Sequence, residues 1–251
     1  MIDYDKLAAD YAAHRTVHPG VLAELLEAIN EQDASRIMEV GCGTGNYIRT
    51  IGEGRAVQCV GIDPSEGMLR QARKRAPGIE FLAGTAETLD FDPDFFDLVF
   101  SVDVIHHVGD RMAFFRGEER VLRPGGRICT VTDSEDIIRR REPLVRYFPE
   151  TVDVELRRYP GIPVLEREMV EAGFTGIRES RVEASHSLSI IGPYRDRVFS
   201  SLLLISEAAF LRGIARMEED LARGPIPCVS RYALIWGRAG GPRPPSSGFR
   251  G

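Results

Sequence analysis

Lysine is almost absent from this chain: Lys6 and Lys74 are its only lysines, and the rest of the basic charge is arginine. Neither lysine has a tyrosine four residues before it, so the Tyr-x-x-x-Lys pair of short-chain dehydrogenases cannot form. Long apolar runs are missing as well. Nothing approaches the roughly 20 residues of a membrane span, and the opening Met-Ile-Asp-Tyr-Asp lacks the charged and apolar regions of a signal peptide. A cytoplasmic location is the expectation. Cysteine is sparse, and Cys42, Cys59, Cys129 and Cys228 show no C-x-x-C spacing. They read as small buried hydrophobes with free thiols, and no metal centre is expected. Net positive charge is lacking too: the formal charge is -6 and the pI about 5.5, so no overall attraction to nucleic acid or to an anionic membrane is expected.

What is present organises itself around Arg36 to Asn46, Arg-Ile-Met-Glu-Val-Gly-Cys-Gly-Thr-Gly-Asn. A short apolar run stops in a glycine-rich turn and enters a helix, which is the layout of a first strand in a nucleotide-binding α/β sheet. Gly41, Gly43 and Gly45 allow dihedrals that other residues avoid and let the backbone press against a ligand. The dinucleotide fingerprint G-x-G-x-x-G requires a third glycine where Asn46 stands. Glu39, two residues before Gly41, would repel a pyrophosphate and attract a cation.

This stretch resembles motif I of the class I S-adenosylmethionine (SAM)-dependent methyltransferases, an acidic residue, one residue, then G-x-G-x-G. The resemblance implies that the turn, with Cys42 and Asn46, lies under the methionyl part of SAM or of its product S-adenosylhomocysteine, and that Glu39 helps hold the amino group. Further along, Val57 to Asp63 reads as a second strand ending in an acid, with Asp63 22 residues beyond Gly41. That is where a carboxylate meets ribose hydroxyls, and the resemblance adds Pro64, Ser65 and Met68 beside the adenine. After a helix over 66–76, Ile79 to Ala83 is the third strand. In its sequel Thr85, Ala86 and Glu87, many relatives carry an aspartate for the adenine amino group where Thr85 stands, so the resemblance leaves that contact to the Thr85 hydroxyl or the backbone of Ala86, and Glu87 is either part of the cofactor site or a helix or turn residue. The leading segment, Tyr4-Asp5-x-x-Ala8-x-x-Tyr11 followed by Arg15, resembles the part that folds over cofactor and substrate in small-molecule methyltransferases. Its apolar spacing reads as helix over 1–35, broken at Pro19-Gly20.

Phe96 to Val102 is the fourth strand and runs into Asp103-Val-Ile-His-His-Val. Ligands collect beyond the carboxyl ends of strands in open α/β sheets, so Ser101 and Val102 belong to the cofactor rim. His106 and His107 are candidates for a base with an ordinary pKa near 6.5. Nothing resembles the N/D-P-P-Y signature of amino-methylating nucleic-acid enzymes. A helix over 110–122 stops at Arg123-Pro-Gly-Gly, and Arg127 to Val131 is strand five. Arginines 139, 140, 141 and 146 cluster near Tyr147. They form either a solvated face or, through Arg139, Arg140 and Tyr147, an anion clamp for the substrate. A helix over 163–173 and a strand over 176–184 precede an insertion in which Phe199, Leu203, Phe210, Ile214, Met217 and Leu221 describe one long amphipathic helix. Arg231 to Trp236 is the last strand.

The expected fold is an α/β Rossmann-like, doubly wound seven-stranded sheet of order 3-2-1-4-5-7-6, the last strand antiparallel, with a helical cap. Residues 1–35 form an N-terminal helical segment. The methyltransferase domain spans 36–238, with cap insertions at about 134–162 and 185–229, and the Gly-, Pro- and Ser-rich tail 239–251 is expected to be disordered. The resemblance is to the small-molecule branch, the quinone-biosynthesis and natural-product type, and implies methyl transfer to an O, N or C nucleophile of a small acceptor, without nucleic acid. An RNA or protein methyltransferase and a non-catalytic SAM-binding relative are the alternatives.

Overall fold

A computed structural model describes residues 16–85 and 87–241. Tyr11, Arg15, Ala86 and the tail from 242 lie outside the described residues. The strands are β1 (Arg36–Val40), β2 (Gln58–Asp63), β3 (Glu80–Ala83), β4 (Phe96–Val102), β5 (Leu122–Thr132), β6 (Thr175–Leu188) and β7 (Ile226–Arg238). They make one seven-stranded sheet in the order β3-β2-β1-β4-β5-β7-β6. The first five strands run parallel, and β7 is antiparallel to both of its neighbours. This is the order expected from the sequence. Inner strands such as Phe96–Val102 are apolar almost throughout because helices cover both faces.

Alternation along β1 sorts the helices. Met38 and Val40 face a layer built from α4 (Arg111–Val121) and α8 (Ile162–Glu171), where Phe114, Phe115, Leu165 and Met169 are buried. Ile37 faces α1 (Pro19–Gln32), α2 (Asn46–Gly52) and α3 (Glu66–Arg75), through Leu25, Ile48 and Leu69. The helix that follows the expected break begins at Pro19 itself. Proline lacks the N–H that would be orphaned in a first turn, and His18 Nδ1 accepts the Val21 N–H at 3.3 Å.

A third core belongs to the cap. β6 and β7 outrun their expected lengths and form a hairpin paired from Val182–Tyr232 to Leu188–Ile226. On it pack α6 (Leu144–Tyr147), α9 (Gly192–Arg195) and α10 (Glu207–Arg223), burying Tyr147, Phe148, Tyr194, Phe210 and Met217. The short α5 (Glu135–Arg139) and α7 (Thr151–Arg158) join this layer to the sheet. The single long helix expected from Phe199 to Leu221 is two pieces. Ser200–Leu203 is a 3-10 turn, and α10 starts at Glu207 because Ser206 Oγ accepts the Ala209 N–H at 3.2 Å. Gly213 inside α10 permits the close approach: a Cβ there would lie 2.2 Å from the Phe148 ring and 2.7 Å from the Tyr147 carbonyl oxygen.

One residue of this fold stands against its surroundings. Glu118 on α4 is fully buried, and neither carboxylate oxygen has a hydrogen-bond partner among the described residues. Burial pushes its carboxyl well above the ordinary 4.5, so the folded state prefers it protonated. Its contribution to stability therefore falls as pH rises above about 4.5. Glu118→Met should raise stability at neutral pH by roughly 1–3 kcal/mol, with a smaller gain near pH 4, measured by urea unfolding at both pH values.

Candidate functional site

The glycine turn sits beyond the carboxyl end of β1, and its three glycines all adopt left-handed φ angles of 69°, 53° and 73°. Two of them serve the protein's own packing as well as any ligand. A Cβ on Gly41 would lie 2.4 Å from Val104 Cγ2, and one on Gly45 2.9 Å from Phe81 Cζ. Val104, Phe81 and Gly61, whose Cβ would meet the same Phe81 ring at 2.7 Å, therefore fix the turn from beneath. Sequence reasoning did not single them out.

Gly45 is the N-cap of α2 and has no side chain to offer. Glu39 supplies what is missing: its Oε2 accepts the Ile48 N–H at 2.9 Å, capping the helix from the neighbouring strand. Asp63, at the end of β2, ties the turn from the other side. Its Oδ2 accepts the Gly43 N–H at 2.8 Å and its Oδ1 the Ser65 N–H at 2.9 Å. Both carboxylates are buried. Burial pushes the Glu39 carboxyl up to about 8; the Ile48 N–H opposes this and the nearby Asp63 charge adds to it. The Cys42 thiol in the same turn is pushed well above 9 by burial and by these two acids.

The remaining residues expected around the cofactor divide. Ser65 caps α3 by accepting the Met68 N–H at 3.1 Å, and Met68 is buried beneath it, while Pro64 is exposed. The Asn46 Oδ1 accepts from Arg75 at 2.7 Å, and Thr44 Oγ1 from the same guanidinium at 3.3 Å, so this amide ties α2 to α3. Thr85 is exposed with its hydroxyl 2.8 Å from that of Thr88, and Glu87 is half-buried. Ser101 is buried on the α4 side of the sheet and Val102 half-buried on the other.

Beyond β4, Asp103 adopts a left-handed φ of 58° and accepts from the Tyr232 hydroxyl at 3.1 Å. His106 stacks on Tyr159, centroids 4.0 Å apart, and packs against His107 at the same distance. His107 lies below its ordinary 6.5 through partial burial and the Arg158 guanidinium, with Asp103 opposing, while its ring keeps contact with solvent. The arginine cluster is not a clamp in the form expected. Arg139 and Arg140 are exposed and paired one helical turn back with Glu135 and Asp136. Tyr147 is buried in the cap core and donates to Asp220 at 2.7 Å, so the three residues do not converge. The inward member is Arg141. It pairs with the buried Asp133, lies 3.7 Å from Glu155, and sits 5.5 Å over the Tyr159 ring. Among the described residues, no group of His, Cys, Asp and Glu could hold a metal ion.

Comparison with known proteins agrees with this geometry. Residues 38–130 match the family described as "Methyltransferase domain", which encloses the turn, Asp63, β4 and most of β5. Over those residues the chain is similar to the domains of SAM-dependent methyltransferases. Phosphoethanolamine N-methyltransferase 1 of Arabidopsis thaliana is 34% identical over 109 residues, 42% of this chain and 22% of that protein. The chain thus spans under a quarter of the curated relatives first matched. The methyltransferase fold recurs in a protein of Anabaena variabilis assigned as a methyltransferase of an antibiotic biosynthesis pathway. That structure has a TM-score of 0.69 and 22% identity, and the match covers 89% of this chain and 98% of that one. It recurs also in phosphoethanolamine N-methyltransferase 2 of Haemonchus contortus, in complex with phosphomonomethylethanolamine and S-adenosylhomocysteine. There the TM-score is 0.58 at 18% identity, covering 96% of this chain and 61% of that one.

The residues of this region fit the cofactor of such enzymes. Two buried carboxylates, with Asp63 close enough to add to the raised pKa of Glu39, beside backbone in the left-handed region, suit a ligand bearing an ammonium group and vicinal hydroxyls. Between about 4.5 and 8 the folded ligand-free protein binds more protons at Glu39 than the unfolded chain does, so stability falls as pH rises through that window. Glu39→Gln cannot titrate. The variant should gain on the wild type with increasing pH, by about 2–4 kcal/mol near pH 8, and the gap should close near pH 4 in urea titrations of ligand-free protein.

Proposed function

We propose that this protein transfers the methyl group of SAM to a small-molecule acceptor held beyond the carboxyl ends of β4 and β5, under the cap. The observation that carries the reading is the pair of buried carboxylates, Glu39 and Asp63, tied into one glycine turn. Glu39 would face the methionyl ammonium and Asp63 the ribose. Gly41, Gly43 and Gly45 would let the backbone approach the cofactor, with Ser65 and Met68 beside the base. Tyr11 and Arg15 would close over the ligand from the leading segment.

The cofactor supplies an electrophilic methyl group on a sulfonium whose departure leaves a neutral thioether. The protein's own part is then mainly to orient the acceptor and keep water out. The stack of His106 on Tyr159, with Arg141 over the same ring, forms a rigid wall at the carboxyl end of β4. Asp103, held by Tyr232, adds a carboxylate beside it. Where the acceptor carries a proton at neutral pH, His107 is the group to take it, because its surroundings keep the imidazole neutral there. The cap helices favour a small acceptor over a polymer, since α6, α9 and α10 with the β6–β7 hairpin build a core of their own above the sheet. The N-methylation of phosphoethanolamine by the relatives makes small polar amines the first acceptors to try.

The test is methyl transfer itself. Protein incubated with methyl-labelled SAM and a cell extract separated into small molecules, RNA and protein should label the small-molecule fraction. Label confined to RNA or protein, or absent from all three fractions while SAM remains bound, would contradict the reading.

A further inference from the structure

A cleft of about 320 Å3 opens at the end of the sheet opposite the glycine turn. Its walls are Arg127 on β5, Arg178 on β6 and Arg238 on β7, with Trp236, Gly237, Gly176 and Glu31 completing the lining. Strand register puts these side chains on one face. Arg127 lies directly across from Arg238, and Arg178 directly across from Trp236. Like charges directly opposed across a strand pair repel. Glu31 on α1 answers one of them, 2.7 Å from Arg127 Nη1. Three guanidiniums against one lining carboxylate leave an excess of two positive charges, in a chain whose net charge is -6.

Two further features prepare this place for an anion. The Arg178 guanidinium is held 5.1 Å over the Trp236 ring and the Arg127 side chain is only 12% exposed, so two of the three forks are already ordered. The β6–β7 ladder also slips here: Thr175 pairs with Arg238 and Arg178 with Trp236, so Gly176 and Ile177 together oppose Gly237. This is a β-bulge, which withdraws a residue from the ladder. Gly176 takes a left-handed φ of 61°, and nothing lies within 4 Å of where its Cβ would be, so the bulge meets open space at the cleft. An open cleft flanked by guanidiniums is suited to tetrahedral oxyanions.

We propose that this cleft is a second ligand site, for a small dianion of the phosphate type, separate from the cofactor turn. A dianion balances the two excess charges and relieves the opposed pair Arg127 and Arg238, whereas chloride can answer only one fork. Free phosphate and a phosphate ester share this chemistry, and the ester's remainder would project outward from the sheet end.

The test is calorimetric titration with inorganic phosphate and, separately, with glycerol 3-phosphate, at fixed ionic strength held by chloride and with S-adenosylhomocysteine present. At least one should bind saturably, and the tighter arm identifies free anion or ester. Arg238→Glu, an exposed reversal of charge, should weaken binding by at least about tenfold while leaving S-adenosylhomocysteine affinity unchanged. Arg178→Ala should weaken it in the same direction. Heats no greater than those of added chloride in both arms, or undiminished binding by Arg238→Glu, would overturn the proposal.

Discussion

Glu39 occupies the position on which the rest of the site depends, because a carboxylate there does two jobs that pull in opposite directions. It replaces the side chain that Gly45 cannot offer and caps α2 through the Ile48 N–H. It does so fully buried, beside Asp63, where its own ionisation is disfavoured. A glycine at the N-cap is tolerable because an acid reaches over from β1, and a cation beside that acid would favour its charged form. The turn is thereby shaped by the ligand-free fold yet electrostatically complete with a cationic ligand. Asp63 binds the same turn from β2 and makes the geometry rigid rather than adaptable.

The region beyond the carboxyl ends of β4 and β5 is built on a different principle. Beyond β4 and β5 the walls are held by charge and ring stacking among elements distant in sequence: Asp133 and Glu155 around Arg141, Arg141 over Tyr159, Tyr159 on His106. Arg141 is mostly enclosed, so its role is to fix Tyr159 and the first cap segment against the sheet end. Above this, the extended β6–β7 hairpin carries an apolar cluster separate from the two faces of the sheet. A cap with its own core can vary without disturbing the glycine turn, which accords with the short region, residues 38–130, over which the family match extends.

Legibility followed these two principles. The turn and the acid at the end of β2 could be read because each rests on local pattern, glycines at alternate places and a carboxylate at a strand end, whereas the sheet order came with the family that this pattern resembles. The start of α10 at Ser206 was misjudged because apolar spacing does not reveal which residue will cap. The arginine cluster was misread for a stronger reason. Arg139 and Arg140 find partners one turn away at Glu135 and Asp136, whereas Arg141 turns inward to Asp133, and adjacency in sequence hides that division. Val104 beneath Gly41 and Tyr159 beside His106 carry no sequence signal, since their importance is contact made only after folding.

The central claim is that the turn between β1 and α2, closed by Asp63, holds the nucleoside and methionyl groups of SAM. Calorimetric titration with S-adenosylhomocysteine, using wild type and Asp63→Ala and with NAD as a second ligand, tests it most directly. The account predicts micromolar binding of S-adenosylhomocysteine by the wild type, a loss of at least about tenfold in the variant, and no binding of NAD. Binding of NAD in its place, or equal affinity of both proteins for S-adenosylhomocysteine, would contradict it.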